Sequence, residues 1–312
     1  MKTSEIKKRI RQARSISWFH SFEVIKGSGV YTPGWVDASP EGYEKMLANI
    51  KVNPKDLKGK RVLDIGTSSG AFAFYLEDSG ADVLAVDVCA PELHGFRLVH
   101  EIRESGIEFR RAAVYDLNPD DFGYFDIVVF FGVFYHLKHP LLAFERINSI
   151  CKEGALLIGG GVVIDRWYHD EDESCERGVN LGSITRESID NKKILNVDNL
   201  NELPLCGFSS GQFLHAKNNW FIPNSRCVLN WLETSGFKIE AFFKNESRFP
   251  LHRKAKDIFK SGIKFKASKV GPPEPENPYL QDYKMPTSLE LERASREIKR
   301  LKAQLKKYET AV

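Results

Sequence analysis

The sequence predicts an α/β domain built on a doubly wound, mostly parallel sheet, and three observations carry that prediction. Strand-length apolar runs alternate with helical patterns from Arg61 to Gly159, as expected for a parallel sheet covered on both faces. The first run, Arg61-Val-Leu-Asp-Ile-Gly-Thr-Ser-Ser-Gly70, breaks into a turn with glycines at 66 and 70. The second, Val83-Leu-Ala-Val-Asp87, ends on a carboxylate, roughly 20 residues beyond that turn, where doubly wound folds meet a ribose.

Taken in order, residues 1–25 read as a basic amphipathic helix. Ile6, Ile10, Ala13, then Ile16 or Ser17 and Phe19 or His20, fall near one face at helical spacing. Gly27-Ser-Gly29 and Thr32-Pro-Gly34 punctuate an irregular stretch. Its aromatics, with Trp18, Phe19, His20, Tyr31 and Trp35 among them, need burial and are expected over the open end of the sheet. Residues 1–54 are therefore expected to form an N-terminal cap, with a helix around Tyr43–Ile50 and a break at Asn53-Pro54 before the first strand.

Strand and helix patterns then alternate: Arg61–Ile65, Ala71–Glu77, Val83–Asp87, a helix within Leu93–Glu104, Ile107–Val114, Ile127–Gly132, a helix within Leu141–Cys151, and Ala155–Gly159. Residues 165–217 are polar and irregular and read as an insertion near the substrate mouth. Its cluster His169-Asp-Glu-Asp-Glu173 lacks metal-ligand spacing and reads as a solvated acidic loop. Regular structure resumes where Asn224 or Ser225 caps a helix that turns Val228, Leu229, Trp231 and Leu232 to the sheet. Gly236 ends that helix before a strand over Phe237–Phe243. The main domain is thus expected over residues 55–243.

Beyond it, Lys244–Lys269 is strongly basic, with Phe249, Phe259 and Phe265 interleaved. It reads as an RNA or acidic-membrane surface, or as a solvated helix face. Gly271-Pro-Pro-Glu-Pro-Glu-Asn-Pro278 reads as a stiff linker, so that residues 244–286 form a basic segment and linker. In the tail, residues 287–312, Leu291, Ala294, Ile298, Leu301, Leu305 and Tyr308 alternate by three and four in a short coiled-coil pattern. Self-association or docking to a partner helix is one reading of it, a polar solvated helix the other.

Composition agrees with a globular enzyme. The 312 residues, 42% of them hydrophobic, suffice for one full core with extensions. A formal charge of +3 demands no polyanionic partner. No apolar run is long enough to span a bilayer, and the N-terminus lacks the apolar centre of a secretion signal. The five cysteines (89, 151, 175, 206 and 227) lack metal or redox spacing. Together these predict a reduced, cytoplasmic protein without a structural metal.

At the turn, Gly66 and Gly70 permit close approach of the main chain to a ligand. The run has no Gly-x-Gly-x-x-Gly cradle for a diphosphate. Asp64, just before the turn, repels phosphate and favours a sulfonium or ammonium. Asp87 is placed to accept both hydroxyls of a ribose, or serves as a helix N-cap or solvated loop acid.

The ordered set Leu63-Asp-Ile-Gly66 with Gly70, the strand end at Asp87, Ala113-Val-Tyr-Asp116 and Phe125-Asp-Ile-Val-Val-Phe-Phe-Gly132 resembles the class I S-adenosylmethionine-dependent methyltransferases. The resemblance covers roughly residues 55–165 and 218–243. It implies a Rossmann-like fold and S-adenosylmethionine as cofactor. Gly66 and Gly70 would line the methionine part, framed by Asp64 and Ser68; Asp87 would take the ribose; Val114, Tyr115 and Asp116 would take the adenine. Phe131, at its strand end, is counted with them. Ser68 stands where many members have glycine, and a serine still fits a turn of small residues.

In this fold ligands sit beyond the carboxyl ends of the strands, so Phe131-Gly-Val-Phe-Tyr-His-Leu-Lys-His-Pro140 borders the transferred group. Tyr135 and His136 are the candidate catalytic residues, offering a hydroxyl and a titratable ring. Alternatively Tyr135 packs on the cofactor and His136 hydrogen-bonds a backbone carbonyl.

Phe131–His136 with His139-Pro-Leu141, and Trp220-Phe-Ile-Pro-Asn224 with Leu229–Glu233 and Gly236-Phe237, are similar to the tRNA wobble-uridine methyltransferase and carboxymethyltransferase family. Trp18-Phe-His-Ser21 and Gly29-Val-Tyr-Thr-Pro-Gly34 are similar to proteins often grouped with it. That resemblance implies tRNA as a partner, with sugars or other small molecules as the alternative acceptors. Carboxymethylating members hold the carboxylate of carboxy-S-adenosylmethionine with an N-terminal lysine, for which Lys26 is the candidate, with the tyrosine matching Tyr135, and with a C-terminal arginine. The arginine has no recognisable match here, nor has the family's closing strand, which favours ordinary S-adenosylmethionine as donor. A non-catalytic scaffold that oligomerises through the tail is the reading outside enzymology.

Overall fold

A computed structural model describes residues 1–165, 203–208, 218–249 and 258–274. The acidic cluster 169–173 and the coiled-coil pattern of the tail lie outside the described residues.

The chain begins with helix α1 (Thr3–Gln12), which buries the i, i+4 pair Ile6 and Ile10. It is shorter than the periodicity predicts. After Ala13 the chain leaves the helix and pairs as two short parallel strands, β1 (His20–Ser21) and β2 (Val36–Asp37), joined by a Glu23–Tyr31 bridge. Helix α2 (Pro40–Asn49) starts where Ser39 accepts the Gly42 amide and proline occupies the first turn, a regular N-terminal arrangement.

Parallel strands and helices follow: β3 (Arg61–Ile65), α3 (Ala71–Asp78), β4 (Asp82–Asp87), α4 (Phe96–Arg103), β5 (Glu108–Arg111), the short α5 (Pro119–Phe122), β6 (Phe125–Phe131), α6 (Pro140–Ser149) and β7 (Cys151–Val163). Then come the small hairpin β8 (Cys206–Phe208) and β9 (Phe221–Pro223), helix α7 (Ser225–Thr234), β10 (Phe237–Phe249) and β11 (Ile258–Lys269).

Seven strands form one sheet in the order β10-β11-β7-β6-β3-β4-β5. All neighbouring pairs from β7 to β5 are parallel, while β11 runs antiparallel to both β7 and β10. The direction of winding reverses between β3 and β6, the switch point where such folds bind ligands. One face is covered by α1 to α4 around Phe74 and Phe96, the other by α5 to α7 around Phe130, Phe144 and Phe265. The mostly parallel, doubly wound sheet expected from the sequence is the one observed.

Three details correct the sequence reading. Residues 1–54 cover the open end only in part: His20 reaches Ser69 of the turn at 2.7 Å, whereas Ile6, Phe22, Val24, Val30, Leu47 and Ile50 are buried in one core cluster with α3 and α4. Tyr31 and Trp35 stay 59% and 68% exposed. The domain also does not close at residue 243, because β11 returns to the sheet between β10 and β7. Ile263, Phe265 and Ala267 alternate into the core, with Phe265 0% exposed, so this phenylalanine belongs to no RNA or membrane surface. Finally, the chain stays packed past β11: Val270 donates to the Gly236 carbonyl, and Asn148 Nδ2 donates to the Ser235 and Gly271 carbonyls at 2.9 and 3.0 Å. The segment from Gly271 therefore starts docked on the domain.

Candidate active site

The carboxyl edge of the sheet gathers nine of the ten residues that the sequence assigns to the cofactor, and both acceptor residues. Asp64 is the penultimate residue of β3 and is 5% exposed, with Oδ2 buried and without a hydrogen-bond partner. Burial pushes its carboxyl up to about 7; the nearby Thr67 side chain lowers it, and the Asp87 charge raises it further. A buried carboxylate with an empty acceptor is costly unless a cation or donor joins it.

The turn from Gly66 to Gly70 is held by its own hydrogen bonds. Gly66 and Thr67 both donate to the Val86 carbonyl (2.8 and 3.2 Å), and Gly70 donates to the Thr67 carbonyl (2.8 Å). Gly66 has φ +77°, and an added Cβ would lie 2.6 Å from Val133 Cγ2. Glycine is therefore required for packing against the loop after β6 as well as for conformation. Ser68 takes φ +52°, a left-handed conformation that costs a residue with a side chain about 1 kcal/mol or more. Its amide donates to Asp87 Oδ2 at 2.8 Å, which offsets that cost.

Asp87 is neither a helix cap nor a solvated acid. Its Oδ1 accepts the Cys89 amide at 2.8 Å while Oδ2 accepts Ser68, so it ties the turn to the end of β4. Each carboxylate oxygen keeps a second acceptor site.

Beyond β5, Val114–Asp116 form a single 3-10 turn with Val114 buried. Asp116 Oδ2 accepts the Ala113 amide at 2.8 Å, and the Tyr115 hydroxyl accepts the His139 amide at 3.1 Å. At the end of β6, the Phe131 ring meets Phe72 edge-on at 5.7 Å, and Phe72 meets Tyr43 at 4.6 Å. Tyr43 is a neighbour of Asp64 that sequence reasoning missed; its hydroxyl is pushed upward by burial and then by the charges of Asp64 and Asp37.

Tyr135 and His136 occupy a second 3-10 turn, Phe134–His136. A Cβ on Gly161 in β7 would lie 2.8 Å from Phe134 Cε1 and 2.9 Å from Tyr135 Cε1, so that glycine makes room for this turn. Burial pushes the Tyr135 hydroxyl up to about 12. His136 is lowered by burial, partly opposed by its hydrogen bonds to Asn218 and Asn219. Its Nδ1 lies 3.3 Å from the Asn218 carbonyl oxygen, the backbone contact weighed for it in the sequence. The Trp220 amide donates to the Tyr135 carbonyl, and Lys138 Nζ sits 4.4 Å from the Trp220 ring centroid. Asp165 fixes this wall from the other side by accepting the Ser225 amide and hydroxyl at 2.7 and 2.6 Å.

Lys26 is the exception. It lines a recess with Glu77, Asp78, Arg103 and Ser105, where α3 and α4 end at the amino edge of the sheet. The register from Trp18 does not carry it to the turn. The N-terminal residue that does reach the turn is His20, with Nδ1 2.7 Å from Ser69 Oγ. The signal available in the sequence was its place between Phe19 and Ser21 in a segment already rich in aromatics.

Residues 41–161 match the profile described as "Methyltransferase domain", which places the turn, Asp87 and the loop after β6 inside the matched region. This stretch thus matches a methyltransferase domain, and its motifs resemble those of the class I enzymes. The match begins at Glu41, within α2 and ahead of the boundary expected at residue 55.

Among similar proteins, the tRNA U34 carboxymethyltransferase of Campylobacter hominis is 26% identical over 62% of this chain and 58% of its own length. The ubiquinone biosynthesis O-methyltransferase of Acinetobacter baylyi is 32% identical over 31% of this chain and 42% of its own length. The chain thus spans about half the length of these relatives. Two solved structures share the fold of the methyltransferase domain. The cyclase SpnF has a TM-score of 0.52 at 13% identity, covering 86% of this chain and 94% of that one. The N-terminal domain of EvdMO1, in the presence of SAH and D-fucose, has a TM-score of 0.52 at 15% identity, covering 86% and 97%.

Proposed function

We propose that the protein is an S-adenosylmethionine-dependent methyltransferase of the cytoplasm. The observation that carries this reading is Asp64, a buried carboxylate with an unpartnered oxygen beside a turn that has no cradle for phosphate. An ammonium group next to a sulfonium is the ligand chemistry that relieves it. Asp87 then has one acceptor site left on each oxygen for a pair of ribose hydroxyls. The fold by itself does not carry the activity, since one protein that shares it is named a cyclase.

The bound cofactor supplies a methyl group on a positive sulfur. The chain's own part is alignment of the acceptor, which is the main requirement of an in-line displacement. Tyr135 stays protonated at neutral pH and serves as a hydrogen-bond donor to the acceptor. His136, neutral because it is buried, accepts the proton that an acceptor oxygen or nitrogen loses as it is methylated.

For the acceptor we favour a tRNA wobble uridine, supported by the relatives of that name from Campylobacter hominis and Desulforapulum autotrophicum. A small-molecule or sugar acceptor is the second reading, favoured by the relatives named for ubiquinone biosynthesis. The position of Lys26 away from the turn argues for S-adenosylmethionine over carboxy-S-adenosylmethionine. Self-association or a partner helix through residues 287–312 belongs to the same proposal.

The test is native mass spectrometry of the purified chain with identification of released small molecules, followed by labelled methyl transfer to undermodified tRNA and to small-molecule extracts. Bound S-adenosylmethionine or its demethylated product, with label in one acceptor pool, is expected. A chain that carries no cofactor and binds none when it is added would return the scaffold reading.

A further inference from the structure

We propose that His20 receives the carboxylate of the cofactor's amino-acid end, donating from Nε2 while Nδ1 is held by Ser69; the inference rests on the cofactor reading above. A zwitterionic amino acid needs a partner at both ends, and Asp64 answers only the ammonium.

The turn has little left for the anion. The amides of Gly66, Thr67, Ser68 and Gly70 are all committed, to Val86, Val86, Asp87 and Thr67 respectively. Within the turn only the Ser69 amide makes no hydrogen bond among the described residues. His20 adjoins the turn at that same residue, with Nδ1 2.7 Å from Ser69 Oγ. Its other ring nitrogen, Nε2, makes no hydrogen bond among the described residues.

His20 is also fixed before any ligand arrives. Thr32 Oγ1 donates to its carbonyl at 2.7 Å, and a Cβ on Gly34 would come within 2.2 Å of its backbone. The Phe19 ring stands edge-on at 4.8 Å. A donor locked by its surroundings loses little entropy on binding. Burial, with His94 adding to it, keeps the ring neutral, its pKa lowered to about 4. A neutral imidazole carries one N–H. When Ser69 donates its hydroxyl proton to Nδ1, that N–H is on Nε2.

Calorimetric titration of the full chain tests this with two ligands, S-adenosylhomocysteine and S-adenosyl-3-thiopropylamine, which keeps the ammonium and lacks the carboxylate. His20→Ala is expected to weaken the first roughly 10- to 100-fold, as for a hydrogen bond to a charged group, and to leave the second within about twofold. His20→Gln, whose amide reaches the Nε2 position, is expected to restore most of the affinity. His20→Asn, which reaches only the Nδ1 position, is expected to restore none. Equal loss for both ligands, rescue by Asn and not Gln, or no loss with His20→Ala would each overturn the role given to His20. A wild-type chain that binds neither ligand would overturn the cofactor reading and this inference together.

Discussion

Asp87 does two things at once, and the consequence is testable on a single side chain. Its oxygens already hold the amides of Ser68 and Cys89, so a bound ribose would complete a four-contact carboxylate. Asp87→Ala is expected to weaken S-adenosylhomocysteine binding by about 2–3 kcal/mol, the scale of charge-assisted hydrogen bonds, as read by calorimetry. It should also loosen the left-handed Ser68, which loses its partner. Unchanged affinity would remove Asp87 from the ribose site. The same reasoning explains why serine is tolerated at position 68, where the resemblance leads one to expect glycine: the backbone strain is met by a carboxylate from the neighbouring strand.

At the scale of elements, the hairpin of β10 and β11 separates two readings of one basic stretch. Phe265→Ala should destabilise the fold by about 3–5 kcal/mol, as truncation of a buried phenylalanine does, and lower the melting temperature accordingly. Lys264→Ala, on the opposite face of the same strand, should melt close to the wild type. Equal, small effects from both would return the segment to a solvated surface.

The parallel half of the sheet was legible because each strand there ends in a recognisable turn and each helix has a periodic apolar face. The Gly turn, Asp64 and Asp87 were legible for the same reason: strand ends and glycines are local signals. The last strand was not, because lysines outweighed the Ile263-Phe265-Ala267 alternation and its partner, β7, is more than 90 positions away in the chain. Likewise β7 was read as ending at Gly159, although it runs on to Val163: three consecutive glycines resemble a break until the Phe265 ring and the Phe134–His136 turn are seen packed against them. Tyr43 escaped notice because tertiary packing alone brings it to the turn, and His20 was legible only as one of the aromatics expected over the open end of the sheet.

For the molecule as a whole, Asp64 predicts how stability depends on pH. Its carboxyl is raised from 3.8 to about 7 in the folded chain, so the folded state binds the proton more tightly than the unfolded state does. That contribution is fully present below the unfolded value and is lost as pH rises through about 7, at about 1.4 kcal/mol per unit of displacement. Ligand-free protein is therefore expected to melt lower at about pH 8 than Asp64→Asn, and alongside it at about pH 4. Bound S-adenosylhomocysteine should close the gap by supplying the missing ammonium. Melting curves that stay parallel across this range would show that Asp64 does not titrate as its burial requires. Asp126, lowered chiefly by its hydrogen bond to Lys152, acts in the opposite sense at acid pH and is common to both proteins, so the comparison cancels it.

The place of β11 between β7 and β10 also governs the order of events during synthesis. By the time Val163 has left the ribosome, β3 to β7 can already assemble as a parallel sheet, but the free side of β7 then has no neighbour until residue 258 and its followers emerge. For that interval of roughly a hundred residues, several seconds at ordinary elongation rates, the nascent chain carries an open, glycine-rich strand edge of the kind that recruits other chains. The sheet is completed by its penultimate strand, and a premature stop anywhere before β11 would leave a sticky fragment in place of a smaller enzyme.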